Sequence, residues 1–261
     1  MEVVEIPHVT QVAPSTVTVP FSEQISEQIT KQLDLAVLIP AYNEEEGIGP
    51  TLEEMKQVLG GMEKSQLVVV VDGNSTDGTA QIAQSSETFV VKQTGTGKGQ
   101  AVVQALRLLP ENTKYVVMTD ADYTYPARFI PVMLDMMEND PSIGMICGDR
   151  FDKTFVLSKA MKSTFYAGNR LLSFMQYVSN GVRMRDPLTG LRVMRYELLR
   201  DWAPKSQGFD IEAELNNYIH SCGFKIEEIP IEYRPRLGKK KLGLRQGFPI
   251  LKRILFQALS S

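Results

Sequence analysis

The sequence predicts an α/β fold with a mostly parallel sheet flanked by helices. Between residues 35 and 147, short apolar runs rich in β-branched residues alternate with segments of helical pattern, as in strand–helix–strand units. The apolar runs lack polar alternation, which indicates strands that are buried on both faces. With 261 residues and 43% hydrophobic content, the chain can bury the core of one large domain or two small ones.

Five strands and four helices are predicted in this region. The strands are, in order, the runs LAVLI, LVVVV, TFVV, YVVMT and IGMIC. The helices are expected at about 45–59, after Asp77, after Lys98 and at about 127–137. No internal repeat and no low-complexity tract interrupts the alternation, so a single α/β sheet is the economical interpretation.

The chain is expected to divide into three parts. Residues 1–33 contain three prolines and no sustained periodicity, which predicts a poorly ordered N-terminal extension. Residues 34–245 are assigned to the α/β domain. Residues 246–261 are predicted to form a basic amphipathic helix, because GFPILKRILFQAL combines Phe, Ile and Leu with basic residues. A solvated C-terminal helix is the alternative.

The charges are unevenly distributed along the chain. Residues 234–261 contain eight Lys or Arg and no acid, whereas the rest of the chain carries 20 basic and 31 acidic residues. This asymmetry favours an acidic partner for the tail, such as phosphate or an anionic membrane surface. Nucleic acid ranks last, because aromatic stacking positions are sparse in the tail and the remainder is acidic.

Neither export nor membrane spanning is indicated by the sequence. Glu2 and Glu5 stand where a signal peptide carries positive charge, and no stretch approaches the roughly 18 apolar residues of a spanning helix. Cys147 and Cys222 form no disulfide framework or metal-ligand spacing, which fits a reducing compartment. The sequence therefore predicts a cytoplasmic protein whose membrane association is peripheral.

Polar and glycine-rich motifs follow four of the predicted strands. Ligands of open α/β sheets bind beyond the carboxyl ends of the strands, so these motifs are expected to meet at one edge. They are PAYNEEE (40–46), DGNSTDGT (72–79), QTGTGKG (93–99) and DAD (120–122). Helix capping and chain turning are alternative roles for the second motif, and the third fits neither a Walker A loop nor the dinucleotide fingerprint.

The DAD motif carries the strongest chemical signal. Carboxylates at positions i and i+2 of a strand end point to the same side, and two like charges so close are unfavourable without a cation or hydrogen-bond donors between them. Oxygen ligands suit Mg²⁺ or Mn²⁺, which commonly complete their coordination with substrate phosphates. A turn with two hydrated aspartates is the alternative.

These motifs together resemble family 2 glycosyltransferases of the GT-A fold, and most closely the polyprenyl-phosphate sugar synthases typified by dolichol-phosphate mannose synthase. The match runs from about 35 to 242, and its specificity comes from the order and spacing of the motifs. Besides the strand-end motifs it includes GDR (148–150), DPLTGLR (186–192), FDIEAEL (209–215), EIPIEY (228–233) and RLGKKKL (236–242).

The resemblance implies an inverting transfer of a sugar from a nucleotide diphosphate-sugar, with Mg²⁺ or Mn²⁺ held by Asp120 and Asp122. A cation at the diphosphate neutralises the charge that develops as the glycosidic bond breaks. Nucleotide-sugar binding is carried over to seven positions, which are Pro40, Tyr42, Glu44, Asp72, Lys98, Asp120 and Asp122.

A polyprenyl or dolichyl phosphate acceptor is implied by the same resemblance. A phosphomonoester is largely dianionic near neutral pH, so it needs charge compensation more than a strong base. The acceptor and phosphate contacts are assigned to Arg150, Thr189, Arg192 and Lys241. The catalytic set is Asp122, Asp186 and Glu214, where Asp186 shapes the acceptor loop and Glu214 orients. Glu212 is either a neighbour of Glu214 or a surface acid.

Two departures from the mannose synthase pattern bear on the donor. Thr124 stands where that group commonly has Gln, and Lys240 stands where it often has Ser. Together with DADYTYP, these favour a UDP-sugar, with glucose or GlcNAc, over GDP-mannose. A family 2 transferase with a saccharide acceptor, a nucleotidyltransferase and a non-catalytic nucleotide-binding module are the rival interpretations.

The aromatic-rich segment 158–178, SKAMKSTFYAGNRLLSFMQYV, is predicted to be a helix. Packing on the sheet is one interpretation of its apolar stripe. The resemblance instead places it at the membrane surface beside the lipid acceptor, where it and the C-terminal helix would be interfacial amphipathic helices.

Overall fold

The computed structural model describes residues 32–86, 88–151, 164–239 and 247–258. Almost all of the predicted N-terminal extension, the first part of the helix predicted at 158–178, and Lys241 lie outside the described residues. Leu33, which was assigned to the extension, is fully buried in the core, so the folded domain includes it. The other domain boundaries remain predictions.

The described part of the chain contains seven strands. The five strands predicted from the sequence are all present, and two further strands follow them. They are β1 (Leu35–Ala41), β2 (Gln66–Asp72), β3 (Phe89–Lys92), β4 (Tyr115–Met118), β5 (Ile143–Asp149), β6 (Arg192–Arg195) and β7 (Lys225–Pro230).

The helices fall where the sequence predicted them in the first half of the chain. A short 3₁₀ turn, Ala127–Phe129, leads into the fourth. They are α1 (Glu45–Gly60), α2 (Thr79–Ser85), α3 (Lys98–Leu106), α4 (Ile130–Asn139), α5 (Thr164–Asn180), α6 (Tyr196–Leu199), α7 (Ile211–Ser221) and α8 (Gly247–Ala258).

The strands form one seven-stranded sheet in the order β3-β2-β1-β4-β6-β5-β7. The β1–β2, β2–β3, β1–β4 and β5–β7 pairs are parallel, while β6 runs antiparallel to both of its neighbours. The prediction of a mostly parallel α/β sheet flanked by helices is confirmed. The inserted antiparallel strand was not predicted, because RVMR is short and begins and ends with arginine.

The sheet is covered on both faces, which explains why its strands are continuously apolar. Leu35, Val37 and Ile39 of β1 pack with α1 and α4, whereas Ala36 and Leu38 pack on the opposite face with α3 and α7. A third cluster joins α5, α7 and α8. The helices thus fix the sheet from both sides and leave its carboxyl edge for the site.

The strand register brings the predicted motifs to that edge. Ala41 lies opposite Asp72, Asp72 lies opposite Lys92, and Leu38 lies opposite Met118. The motifs that follow β1, β2, β3 and β4 therefore begin side by side. Among the described helices, none combines the length and the apolar character needed to cross a membrane.

Candidate active site

The two aspartates of the DAD motif stand just beyond β4 in different surroundings. The Asp122 side chain is nearly buried, whereas the Asp120 side chain is 31% exposed. Asp122 Oδ1 accepts hydrogen bonds from the Thr124 hydroxyl at 2.5 Å and the Thr124 main-chain N–H at 3.2 Å. Burial first, and then the charge of Asp120, raise the pKa of Asp122. The pair therefore carries negative charge that the protein only partly neutralises.

Lys98 joins the DAD motif to a carboxylate on α7. Its Nζ lies 2.6 Å from Asp120 Oδ1 and 2.7 Å from Glu212 Oε1. Burial alone would raise the pKa of Asp120, but the charge of Lys98 outweighs it and the pKa is lowered. Among the described residues, the buried Glu212 Oε2 has no hydrogen-bond partner. Glu212 is therefore a site carboxylate and not a surface acid.

Arg236 provides a second cation at the motif. Its Nη1 donates to Asp122 Oδ2 at 2.8 Å, and its Nη2 donates to Glu44 Oε1. Arg236 belongs to the segment 231–239, named here the strap, which crosses the DAD turn. The Leu237 N–H of the strap donates to the Asp122 carbonyl at 3.1 Å.

The loops after β1 and β2 interlock beside the DAD turn. The Glu44 N–H donates to the Thr79 hydroxyl at 2.7 Å, and the Asn43 N–H donates to the Ser75 hydroxyl at 2.9 Å. Asp72 is buried, and its Oδ2 accepts the Ser75 N–H at 3.1 Å. Polar residues of the DGNSTDGT motif thus build the loop, in addition to any contact with a ligand.

The outer wall of this region presents Pro40 and Tyr42. Pro40 lies opposite Val71 in the sheet register and is half-buried, whereas the Tyr42 side chain is 51% exposed. The structure therefore gathers all seven positions assigned to the nucleotide-sugar at the carboxyl edge, in the last residues of β1 and β2 and in the segments that follow β1, β3 and β4. Their individual roles remain predictions.

The glycine-rich loop packs against another loop of the protein. Gly97 has a φ of 93°, and a Cβ atom there would lie 2.2 Å from the Gln207 carbonyl oxygen. The Gly99 N–H donates to that same carbonyl at 2.9 Å. Close approach of two backbones, and not a phosphate cradle, explains these glycines.

The DPLTG loop, residues 186–190, packs against the DAD motif. A Cβ atom on Gly190 would lie 2.5 Å from Asp120 Oδ2, and the Gly190 N–H donates to the Tyr125 hydroxyl at 2.7 Å. Thr189 is fully buried, and its hydroxyl has no hydrogen-bond partner among the described residues. The predicted acceptor loop therefore lies directly beside the predicted donor carboxylates.

Asp186 of this loop forms a buried ion pair with Arg150, which directly follows β5. Arg150 Nε and Nη2 each lie 2.7 Å from an Asp186 carboxylate oxygen, and the Arg150 N–H donates to Oδ2 at 3.1 Å. Glu228 on β7 accepts the main-chain N–H groups of Arg185 at 2.6 Å and Asp186 at 2.7 Å. The Asp186 side chain is fully buried while 15% of the Arg150 side chain is exposed, so only Arg150 can meet an acceptor.

Arg192 requires a correction. It was assigned to a phosphate, but it is fully buried. Its nitrogens donate to the Thr189 and Pro187 carbonyls at 2.9 and 2.8 Å and to Asn216 Oδ1 at 2.5 Å. Since no face of its guanidinium reaches the surface, Arg192 holds the acceptor loop and does not contact a ligand.

Glu214 is held by main-chain groups. Its two carboxylate oxygens accept the N–H groups of Lys205 and Ser206 at 2.8 and 2.7 Å, so it caps a loop, and its orienting role in catalysis stays a prediction. Two positions separate Glu212 from Glu214, and on a helix only one of them can face the strand ends. That argument was available from the sequence, but the sequence could not say which one faces inward. Arg236 and Glu228 stood in recognised motifs without any signal of their role.

The donor set fits a divalent cation that is completed by a substrate. Among the described residues no group of three or more His, Cys, Asp or Glu side chains could hold a metal alone. Asp120 and Asp122 offer oxygen ligands only, and burial together with the charge of Asp120 disfavours the charged form of Asp122, whose pKa is raised. Such a pair suits Mg²⁺ or Mn²⁺ with diphosphate oxygens as further ligands. In this structure the two oxygens of Asp122 accept hydrogen bonds from Thr124 and Arg236.

A mostly parallel sheet with a cluster of polar side chains at its carboxyl edge is the usual architecture of an α/β protein that binds its ligand at that edge. Residues 36–202 match the family described as glycosyl transferase family 2, and the chain belongs to that family. The predicted family is thus confirmed, and the protein is a glycosyltransferase.

Two curated relatives come from Haloferax volcanii. The chain is 36% identical over 215 residues to a dolichyl-phosphate hexose transferase, which covers 80% of this chain and 86% of the relative. It is 34% identical over 202 residues to glycosyltransferase AglJ, which covers 77% of this chain. The match spans 63% of AglJ, so this chain corresponds to less than two thirds of that relative.

Solved structures share the GT-A fold at low identity. Mannosyl-3-phosphoglycerate synthase from Rubrobacter xylanophilus has a TM-score of 0.66 at 17% identity, covering 91% of this chain and 76% of its own. Glucosyl-3-phosphoglycerate synthase from Mycobacterium tuberculosis, in complex with Mn²⁺ and UDP-glucose, has a TM-score of 0.65 at 20% identity, covering 96% and 85%. These similarities confirm the predicted fold.

Proposed function

We propose that this glycosyltransferase moves a hexose or N-acetylhexosamine from a UDP-sugar to a polyprenyl or dolichyl phosphate, with inversion and with Mg²⁺ or Mn²⁺ bound. The observation that carries the proposal is the cluster of Asp120, Asp122, Lys98 and Arg236 at the carboxyl edge of the sheet, beside the loop of Arg150. The name of the dolichyl-phosphate hexose transferase supports the acceptor class.

The donor site works by charge balance. Asp120 and Asp122 would hold the cation, which supplies positive charge to the leaving diphosphate when bound. Lys98 stays protonated, since Asp120 and Glu212 raise its pKa against the effect of burial. Arg236 lies at the same carboxylates, where its positive charge would help to balance the phosphates. The protein thereby places positive charge where negative charge develops, which is commonly the largest catalytic contribution.

The acceptor site has to orient the acceptor phosphate and balance its charge, and it does not need a strong base. A phosphate acceptor is already largely dianionic at neutral pH. Asp186 occupies Nε and Nη2 of Arg150 and fixes the guanidinium, which leaves Nη1 of this partly exposed side chain for a phosphate. Thr189 and Asp186 shape the loop. Lys241, the other predicted phosphate contact, stays a prediction.

An exposed apolar face on α5 and α8 supports a lipid acceptor. Ile250 and Ile254 bury one side of α8 against α5 and α7. The other side of α8 exposes Phe248 and Phe256, and α5 exposes Phe174. Further exposed apolar side chains on these two helices are Leu171, Tyr177, Val178 and Leu255.

The chemistry of this face fits a membrane surface. The Phe248 side chain is 74% exposed, and Lys252 Nζ lies 5.5 Å from the centre of the Phe256 ring. Exposed aromatic residues interspersed with basic ones are typical of helices that lie in the interface of an anionic membrane. We therefore place the enzyme at the cytoplasmic face of a membrane, with α5 and α8 against the lipid.

The first experiment identifies the product. The full chain is incubated with polyprenyl phosphate, Mg²⁺ or Mn²⁺, and a panel of UDP- and GDP-sugars, and the lipid fraction is analysed by mass spectrometry. A polyprenyl-phosphate hexose formed from a UDP-sugar, and lost in EDTA, is the expected result. Transfer only to saccharides, transfer only from GDP-mannose, or full activity without a divalent cation would contradict the corresponding part of the proposal.

The second experiment tests the lipid face. Phe248→Ser with Phe256→Ser should release the protein from anionic liposomes in a sedimentation assay, since two exposed aromatic side chains are removed. Val132→Ser is the matched control, because Val132 on α4 is an exposed apolar residue outside this face. Equal binding of both variants would argue against the assigned surface.

A further inference from the structure

The DAD turn contains a strained residue. Tyr123 has a φ of 66°, in the left-handed region that residues with a Cβ atom rarely adopt. The same turn brings the N–H and hydroxyl of Thr124 back to Asp122 Oδ1. A strained conformation persists only where the surrounding structure holds it in place. The orientation of the Asp122 carboxylate therefore depends on whatever holds Tyr123.

Arg234 and Glu54 hold Tyr123 from above its ring. The Arg234 guanidinium carbon lies 4.4 Å from the centre of the Tyr123 ring. Glu54 on α1 binds that guanidinium through both oxygens, at 2.5 Å to Nη1 and 2.8 Å to Nη2. Both charged side chains are more than four-fifths buried. This bidentate pair, named here the clamp, fixes a cation over an aromatic face away from bulk water.

Main-chain hydrogen bonds complete the attachment. The Tyr123 N–H donates to the Thr51 hydroxyl of α1 at 3.0 Å, and the Arg234 N–H donates to the Thr124 carbonyl at 3.0 Å. Helix α1 and the strap thus grip the turn from two sides. Both grips lie immediately next to Asp122, and neither clamp side chain bonds to Asp122 itself.

We propose that Arg234 and Glu54 are positioning residues for the divalent cation and the donor diphosphate, acting through the left-handed conformation of Tyr123 on the Asp122 carboxylate. The proposal rests on the proposed function, which supplies the cation and the nucleotide. In this arrangement Thr124 fixes the ligand carboxylate by donating to it.

The chain contains a matched control pair on the same strap. Arg128 and Glu232 form an ion pair, and the Arg128 guanidinium carbon lies 4.9 Å from the Phe129 ring centre. Both side chains are nearly half exposed, and the pair ties the strap to the 3₁₀ turn and not to Tyr123. The control pair therefore consists of an arginine and a glutamate, as the clamp does, but it does not contact Tyr123.

The test measures Mn²⁺ affinity in the presence of UDP, by calorimetry on the full chain, beside the midpoint of thermal unfolding. Arg234→Met is expected to weaken Mn²⁺ binding about tenfold and Glu54→Gln about threefold, in line with the strength of partly desolvated cation–aromatic contacts. Arg234→Lys should recover only part of the affinity, because lysine keeps the positive charge and cannot form the bidentate pair with Glu54. Arg128→Met should stay within about twofold of wild type.

A double-mutant cycle isolates the route through the turn. Glycine adopts positive φ without strain, so in Tyr123→Gly the turn no longer needs the clamp. Adding Arg234→Met to Tyr123→Gly should then change Mn²⁺ affinity by no more than about twofold. Additive effects of the two substitutions would overturn the proposal.

The remaining outcomes separate this proposal from the proposed function. Wild type that binds no Mn²⁺ with UDP overturns both. Wild type that binds, with Arg234→Met binding equally well, overturns the positioning role alone. An affinity loss that is matched by an equal loss in Arg128→Met, or that occurs only in variants whose unfolding midpoint has fallen, assigns a merely structural role and overturns it too.

Discussion

Two buried Asp–Arg pairs in this molecule differ in how the arginine is shared. Asp186 receives two guanidinium nitrogens and a main-chain N–H from Arg150, and the Asp186 main-chain N–H donates to Glu228. Asp122 receives one nitrogen of Arg236 and two hydrogen bonds from Thr124, while the other terminal nitrogen of Arg236 donates to Glu44. Arg150 thus binds one carboxylate with two nitrogens, whereas Arg236 divides its nitrogens between two carboxylates.

The difference shows which features of a buried ion pair point to a ligand. Burial is similar, since the Asp186 side chain is fully buried and that of Asp122 is 6% exposed. Asp122 stands two residues from Asp120, and burial and the charge of that neighbour raise the pKa of Asp122. An arginine that binds a single carboxylate stabilises a loop, whereas two carboxylates together at a strand end are suited to bind a cation.

Asp186→Asn should have the largest effect, and it should act on stability. The substitution leaves the Arg150 charge buried without its counter-charge, which typically costs about 3–5 kcal/mol. Urea unfolding at pH 7 should show a lower midpoint with an unchanged slope. A variant as stable as wild type that has lost only activity would restore Asp186 to the catalytic set predicted from the sequence.

Asp122→Asn should act on activity and spare the fold. Loss of a charged ligand at the site of developing charge should lower turnover about 10²–10³-fold. The fold should tolerate the change, because the raised pKa shows that the charge at this position is itself unfavourable, and Arg236 retains Glu44. The two readouts are sugar transfer and the unfolding midpoint. Wild-type turnover would refute the ligand assignment.

Glu212→Gln should have a smaller effect, which contrasts with that of Glu214→Gln. Lys98 would keep Asp120 and lose one of its two carboxylates, so transfer should fall about tenfold. Glu214→Gln should instead lower stability by about 1–2 kcal/mol with little loss of turnover, because it weakens the capping of Lys205 and Ser206. The reverse pattern in kinetics and unfolding would support the original assignment to Glu214.

The sequence predicted the first half of the chain well because local signals there agree with the fold. Each strand from β1 to β5 is a continuous apolar run, and parallel strands must end at one edge, so the order of the motifs implies their convergence. Even Lys98, judged from a single glycine-rich motif, falls into the site because its loop follows β3.

The second half was harder to predict because its roles are set by long-range packing. Arg150 and Arg192 are each the last residue of a recognised motif, but β6 directs Arg192 into the core while Arg150 stays partly exposed. Likewise Arg236 reaches Asp122 only because the strap crosses the DAD turn, at a separation of 114 residues. The hydrophobic periodicity of the sequence carries no information about contacts between distant residues, so these contacts could be assigned only from the structure.

The smallest predicted effect concerns an ion pair at the opposite edge of the sheet, where a partner charge serves stability alone. Asp34 precedes β1, and its Oδ1 lies 2.6 Å from Lys114 Nζ. The hydrogen bond from Lys114, with others from Ser65 and against the effect of burial, lowers the pKa of Asp34 from 3.8 to about 2. The folded state therefore binds this proton less tightly than the unfolded state, and the contribution is complete above the unfolded pKa and lost as the pH falls through about 2.

Asp34→Asn should accordingly lower the free energy of unfolding at pH 7 by about 1 kcal/mol, since exposed ion pairs contribute at most that much. Urea unfolding at pH 7, 4 and 3 should show the difference from wild type shrinking as the pH falls. Asp201→Asn is the matched control, because that acid is 85% exposed and lies 3.5 Å from Arg200. A difference for Asp34→Asn that grows toward pH 3 would contradict the sign of the pKa shift, and it would remove the contrast between a stabilising carboxylate at the amino edge and a ligand carboxylate at the carboxyl edge.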